Sequence, residues 1–167
     1  MDISGIEFKF DDFFWMGSVD LPSWHGYRSF NESSELLSSD YPLMLRYEEC
    51  ETPPVPSRFS ETIDWLINNA EYLHNQILEK ILQEFGNESR MCGYSAKLDG
   101  LKTLNNATDI KQFVIPNIVY IHEANNGSVG KIGIRFSCRW DTDHELGLVI
   151  VDGEVSAFGY GSRAFEG

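Results

Sequence analysis

The chain has 167 residues, with 26 Asp and Glu against 13 Lys and Arg, a formal charge of −13 with His neutral. Apolar residues are 42% and aromatics 13% of it, enough for the core of one domain spanning residues 1–167 and too many for a disordered chain. No apolar run approaches the roughly 18–20 residues of a membrane span, and so negative a field repels phosphate, so neither a membrane nor direct nucleic-acid binding is expected.

Met1 to Gly5 has neither the basic start nor the apolar stretch of a signal peptide, so the expected location is the cytoplasm. Cys50, Cys92 and Cys138 agree: three cysteines without a close pair form neither a disulfide framework nor a zinc ribbon. The charge is uneven, with net −7 in residues 1–60, −4 in 61–100 and −2 in 101–167.

In chain order, Ile6, Phe8 and Phe10 alternate with polar residues, the period-two pattern of a half-buried strand. Phe13 to Leu21 reads as a second strand ended by Pro22, Trp24 to Phe30 as a short third, and Asn31 to Asp40 as a polar loop. Tyr41 to Glu49 is a further strand with Leu43, Leu45 and Tyr47 on one face, and the regular turns imply an antiparallel meander. Pro53, Pro54 and Pro56 then make a stiff connector.

Ser57 or Ser60 can cap the helix that follows. Ile63, Leu66, Ile67, Ala70, Leu73, Ile77, Leu78, Ile81, Leu82 and Phe85 recur at three- and four-residue steps, opposite Asp64, Asn68, Glu71, Asn75, Glu79 and Gln83. The phase runs through Asn68-Asn69, which predicts one long helix or two nearly collinear ones, about 27 residues and roughly 40 Å in all, closed by Gly86-Asn87. His74 lies beside the stripe and reads as a packed or surface residue rather than a ligand. Leu98, Leu101 and Leu104 fit one short helix closed by Asn105-Asn106.

The last third reads as a β-meander. Phe113 to His122 is a strand whose Pro116 marks an edge or a bulge, and Asn125-Asn126-Gly127 is a hairpin turn. Ile132, Ile134, Phe136, Cys138 and Trp140 alternate strictly with Gly133, Arg135, Ser137 and Arg139. Leu146 to Val151 and Glu154 to Phe158 flank a second tight turn, Asp152-Gly153. Cys138 falls on the apolar face and reads as a core thiol; Gly159-Tyr160-Gly161 reads as a turn or close packing at the end of the last strand, with no helix after it. The expected fold is α+β: an antiparallel sheet of N-terminal strands and the C-terminal meander, packed on one long amphipathic helix.

Chemistry-bearing patterns are sparse. Asp141-Thr142-Asp143-His144-Glu145 gathers potential ligands, but its spacing fits neither HExxH nor a calcium loop, and a polar turn between strands is the simpler reading. His25 and His122 could each pair with an acid for base catalysis, but no nucleophile elbow or phosphate loop accompanies them. Asp11 and Asp12 precede Phe13, Phe14 and Trp15; acids beside exposed aromatics suit a basic protein surface, whereas inward-turned aromatics would leave a plain solvated loop.

Two stretches carry a resemblance: Phe13 to Trp24, and Gly133 to Leu148 continuing to Val155 and Ala164-Phe165. Together they resemble a bacterial family of small uncharacterised acidic domains with a long central helix and a C-terminal signature close to FxCxWDxEHGLGV. This chain departs from the signature in having Asp143 for the acid before His and Glu145 for the glycine after it. The resemblance brings no catalytic residue. It implies a bacterial accessory protein, some similar domains being thought to act as immunity proteins against toxin domains.

The expected function is therefore a cytoplasmic, non-enzymatic binder of immunity type. Its partner would be a basic protein, such as a toxin or nuclease domain, and Glu48, Glu49, Glu51, Asp141, Asp143 and Glu145 are the candidate contacts. No cofactor, metal or catalytic residue is expected. The alternatives are a metal-binding or hydrolytic domain using Asp141, Asp143, His144 and Glu145, and a structural or regulatory interaction module.

Overall fold

A computed structural model describes residues 1–48, 52–86, 104, 106–125 and 127–167. The alternation of Ile6, Phe8 and Phe10 is divided at Phe8 into two short strands, and Ser4 and Gly5, at positive φ (55° and 78°), turn a further short strand onto the first of them. β1 (Asp2–Ile3) pairs with β2 (Ile6–Glu7), and β3 (Lys9–Phe10) pairs with β4 (Trp15–Asp20). β4 pairs with β5 (Asp40–Arg46).

The stretch from Trp24 to Phe30 is not a strand. Pro22–Trp24 forms a 3₁₀ turn, and the following residues make one isolated bridge, Arg28 to Leu36. Their aromatic rings serve packing instead: Trp24 Nε1 donates to the Ala70 carbonyl at 2.6 Å, and Tyr27 Oη lies 2.8 Å from His74 Nε2.

The helical stripe forms two helices, not one. α1 is Ser60–Asn68 and α2 is Ala70–Gly86. Asn69 interrupts them (φ −115°, ψ 14°), its backbone N–H and its side-chain amide both donating to the Trp65 carbonyl. Asn does this because its side chain competes with the helical backbone for hydrogen bonds. Neither serine caps α1: Ser57 sits in the 3₁₀ turn Pro56–Arg58, Ser60 is already helical, and Phe59 occupies the cap without a side-chain bond. Ile67 leaves the apolar stripe and is exposed.

The expected short helix at Leu98 and Leu101 lies outside the described residues, as do Asn87, Asn105 and Asn126. Asn106 starts an element rather than closing one, its Oδ1 accepting from Thr108 N–H at the start of a 3₁₀ helix, Ala107–Gln112.

β6 (Val114–His122), β7 (Ile132–Cys138), β8 (Asp141–Val151) and β9 (Glu154–Gly159) form the C-terminal meander. Pro116 is accommodated by a register shift between Pro116 and Ile118. Asp152 and Gly153 both take positive φ (52° and 81°) to close β8 onto β9.

The seven strands from β3 to β9 join one sheet in chain order. They are antiparallel except β5 and β6, which run parallel. The sheet is thus mostly antiparallel, as expected, and the reason for its one parallel pair is topological. The connection from β5 to β6 passes through α1 and α2, and a helical crossover returns the chain to the same end of the sheet.

On one face, Ile63, Leu66, Leu73, Ile77 and Ile81 of the helices share a core with Leu43, Leu45, Val119, Ile121, Ile134, Phe136 and Leu148 of the sheet. Each such side chain contributes up to about 1.5–3 kcal/mol by leaving water. Cys138 is buried there as expected.

The other face carries a helix that the sequence reading omits. α3 (Gly161–Glu166) follows Tyr160 and lies on β7 and β8. Its approach depends on Gly133 and Gly147, where an added Cβ would stand 1.9 Å from the Ala164 carbonyl oxygen and 2.3 Å from that of Tyr160. Among the described residues no helix is long and apolar enough to cross a membrane.

Candidate functional site

The segment from Asp141 to Glu145 is not a turn but the first half of β8; the turn is Arg139-Trp140 before it. Cys138 pairs with Asp141 and Phe136 with Leu146, so four residues of β8, 142–145, face Ser137 alone. This enlarged bulge re-aims the side chains on it. Glu145 carries the geometric cost, with φ at +58° inside a strand, where a residue other than Gly, Asn or Asp is uncommon.

Asp141 is 8% exposed. Its Oδ1 accepts from the N–H of Asp143 (3.3 Å) and of His144 (3.0 Å), and both its oxygens lie within 3.1 Å of His144 Nδ1. Burial pushes the Asp141 carboxyl up, but these bonds from His144 and Asp143 outweigh it and hold the group below its ordinary value. An ionised carboxylate only accepts, so Nδ1 carries a hydrogen towards it and Nε2 is left facing away from Asp141. The His144 ring rests on Tyr160, centroids 4.8 Å apart. An oriented imidazole of this kind suits proton transfer or contact with a partner's donor.

Glu145 turns away from His144. Asn117 Nδ2 donates to its Oε1 at 3.0 Å, Ser137 Oγ lies at 3.4 Å, and Arg135 Nε stands 3.2 Å from its Oε2. The Arg135 Nε–H is not aimed along a hydrogen bond, so this last contact is an ion pair without one. A groove of about 670 Å³ runs beside the segment, between α2 and β9, lined among others by Lys80, Glu84, Asp141, Glu145, Phe158 and Arg163. Lys80 pairs with Glu84 at 2.9 Å.

The candidate contacts therefore do not share a surface. Asp143 is exposed, Asp141 is buried against His144, and Glu145 is half-buried. Glu48 is exposed beyond the other end of the sheet, near His122 and Lys131, whereas Asp141 pairs next to Val114 through Cys138. The length of β6 separates these ends by roughly 25 Å. Glu49 and Glu51 lie outside the described residues. Nor do Asp141, Asp143, His144 and Glu145 converge as ligands: among the described residues no three His, Cys, Asp or Glu side chains are grouped to hold a metal ion.

Among the described residues the other histidines do not pair with acids. His25 Nδ1 meets the Pro22 carbonyl at 2.9 Å and His122 Nε2 the Ala164 carbonyl at 3.1 Å. His74 is the packed residue expected, 3% exposed and stacked on Trp24. Burial lowers its pKa to about 4, helped by the nearby Lys111 charge and opposed by a bond to the Ser23 backbone. Sequence reasoning missed Tyr160 and Arg163 as site residues, because their placement depends on α3. The only local hint is Gly161, the close-packing residue at the start of that helix.

Fold and site together define an α+β domain with a bulged C-terminal meander. Residues 15–165 match the family described as a domain of unknown function (DUF6985), and the chain belongs to that family. No curated protein and no solved structure matches the chain significantly.

Proposed function

We propose that this protein is a binding protein of immunity type, which neutralises a basic toxin domain by docking an acidic surface onto it. The observation that carries the reading is where the charge sits. Lys9, Arg58, Lys80 and Arg135 are each engaged by a carboxylate of the chain itself, at 2.6–3.3 Å. Glu61, Asp64, Glu71 and Glu79 stand exposed along the outer side of α1 and α2, and Asp2, Asp11, Asp12, Asp20 and Asp40 are exposed on the N-terminal strands and turns. Exposed surface carboxylates on a chain of net −13 attract basic proteins and accelerate encounter with them.

The test is capture from the native lysate on the immobilised chain, at low and then high salt, with the retained protein identified by mass spectrometry. A dedicated inhibitor retains one basic domain through both washes, because a packed interface outlasts electrostatic screening. Retention of basic proteins indiscriminately, and only at low salt, would reduce the acidic surface to a solubility device.

A further inference from the structure

The hairpin that joins β3 to β4 carries four aromatic rings, two of them half-buried and two exposed. Phe14 packs edge-on against Phe165 at 5.9 Å. Trp15 is half-buried, its ring 5.7 Å from that of Phe10. Phe13, at the tip, is 71% exposed, and Phe10 is 40% exposed.

The tip is firmly built. Phe10 pairs with Trp15, Asp11 N–H donates to the Phe14 carbonyl at 3.0 Å, and Asp11 Oδ1 accepts from Phe14 N–H at 2.9 Å. That leaves Asp12-Phe13 as a two-residue turn, with Asp12 at φ +76°. A turn whose backbone is already set loses little backbone freedom on binding, and an aromatic ring presented on it has only two χ angles to order, which suits an interface anchor. The charges at the tip itself are acidic: Asp11 and Asp12 are exposed, while Lys9, exposed on β3, is paired with Glu7 at 3.3 Å.

We infer that this hairpin tip is the docking surface for a basic protein partner, with Phe13 entering an apolar pocket and Asp11 and Asp12 facing the cations around it. The inference rests on the partner-binding reading above and gives it a location. That location is remote in sequence from Asp143 and does not use the groove beside β8. A lone surface phenylalanine would need no explanation; a built turn that exposes Phe10 and Phe13 on either side of two carboxylates is complementary to an apolar pocket with cations beside it.

The experiment replaces Phe13 by the photoreactive p-benzoylphenylalanine in the full chain, and separately Asn75 on the exposed side of α2, and irradiates cells of the native host. The expected result is a crosslink from position 13, and not from 75, to a basic protein. That protein, purified, binds Phe13→Ser at least tenfold more weakly than the unmodified chain, while the thermal midpoint of the variant is unchanged. Asp12→Asn, which keeps the turn and removes the charge, weakens binding more at low salt than at high salt.

A basic partner that crosslinks only from position 75, or that binds Phe13→Ser undiminished, overturns the hairpin as the surface and leaves partner binding intact. A crosslinked species of twice the chain's mass assigns the tip to a second copy and overturns the basic partner there. No crosslink from either position overturns both readings.

Discussion

Glu145 combines an unfavourable backbone with a favourable side chain. Its φ of +58° costs about 1 kcal/mol or more for a residue with a Cβ. Its carboxylate is held by Asn117, Ser137 and Arg135. The two effects separate on substitution. Glu145→Ala keeps the backbone cost and loses the contacts, whereas Glu145→Gly loses the contacts but relieves the backbone. The glycine variant is therefore expected to be more stable than the alanine variant by about 1 kcal/mol in urea unfolding. An alanine variant equal to or above the glycine variant would show that the bulge is not strained at this position. The resemblance already marks this as a glycine position; the sequence could not show that the glutamate there keeps a left-handed backbone, because its compensating partners come from β6 and β7.

At the scale of elements, periodicity was legible and boundaries set by tertiary contacts were not. The alternation read over Ile132 to Trp140 appears as a strand as far as Cys138, with Arg139-Trp140 turning instead, and the Asp152-Gly153 turn appears as read, because each is a local pattern with a local cause. The stripe from Ile63 to Ile81 is also present, but Asn69 divides it, a local competition that an apolar count does not register. The strand expected over Trp24 to Phe30 fails for the opposite reason: its rings satisfy long-range contacts to Ala70 and His74. α3 was illegible because six residues carry little periodic signal, and its support lies in glycines far away in sequence. Those glycines supply the test. Gly133→Ala drives a Cβ into the Ala164 backbone, so α3 must shift; the expected loss is about 1–3 kcal/mol, with earlier protease cleavage after Tyr160. Unchanged stability and cleavage would mean that α3 does not rest on β7 in solution.

For the whole molecule, stability and charge lead to separate expectations. His74 has a folded-state pKa of about 4 against an ordinary 6.5, so between these values the unfolded chain binds more protons than the folded one. Stability is therefore fully present above pH 6.5 and is lost as the pH falls towards 4, by about 3 kcal/mol. His122, also lowered by burial, adds in the same direction. His74→Gln, which can still accept from Tyr27, should flatten this slope in urea titrations from pH 7 to 4; an unchanged slope would place the acid sensitivity elsewhere.

The acidic balance itself was legible from composition. Which carboxylates face solvent was not, since Asp141 is consumed by His144 and Glu145 by the bulge. The most direct measurement of the central claim is survival of cells that express the captured basic domain, with and without this chain. The account predicts killing by the domain alone, survival when the chain is co-expressed, and renewed killing with Phe13→Ser. Killing that proceeds equally with and without the chain would contradict it.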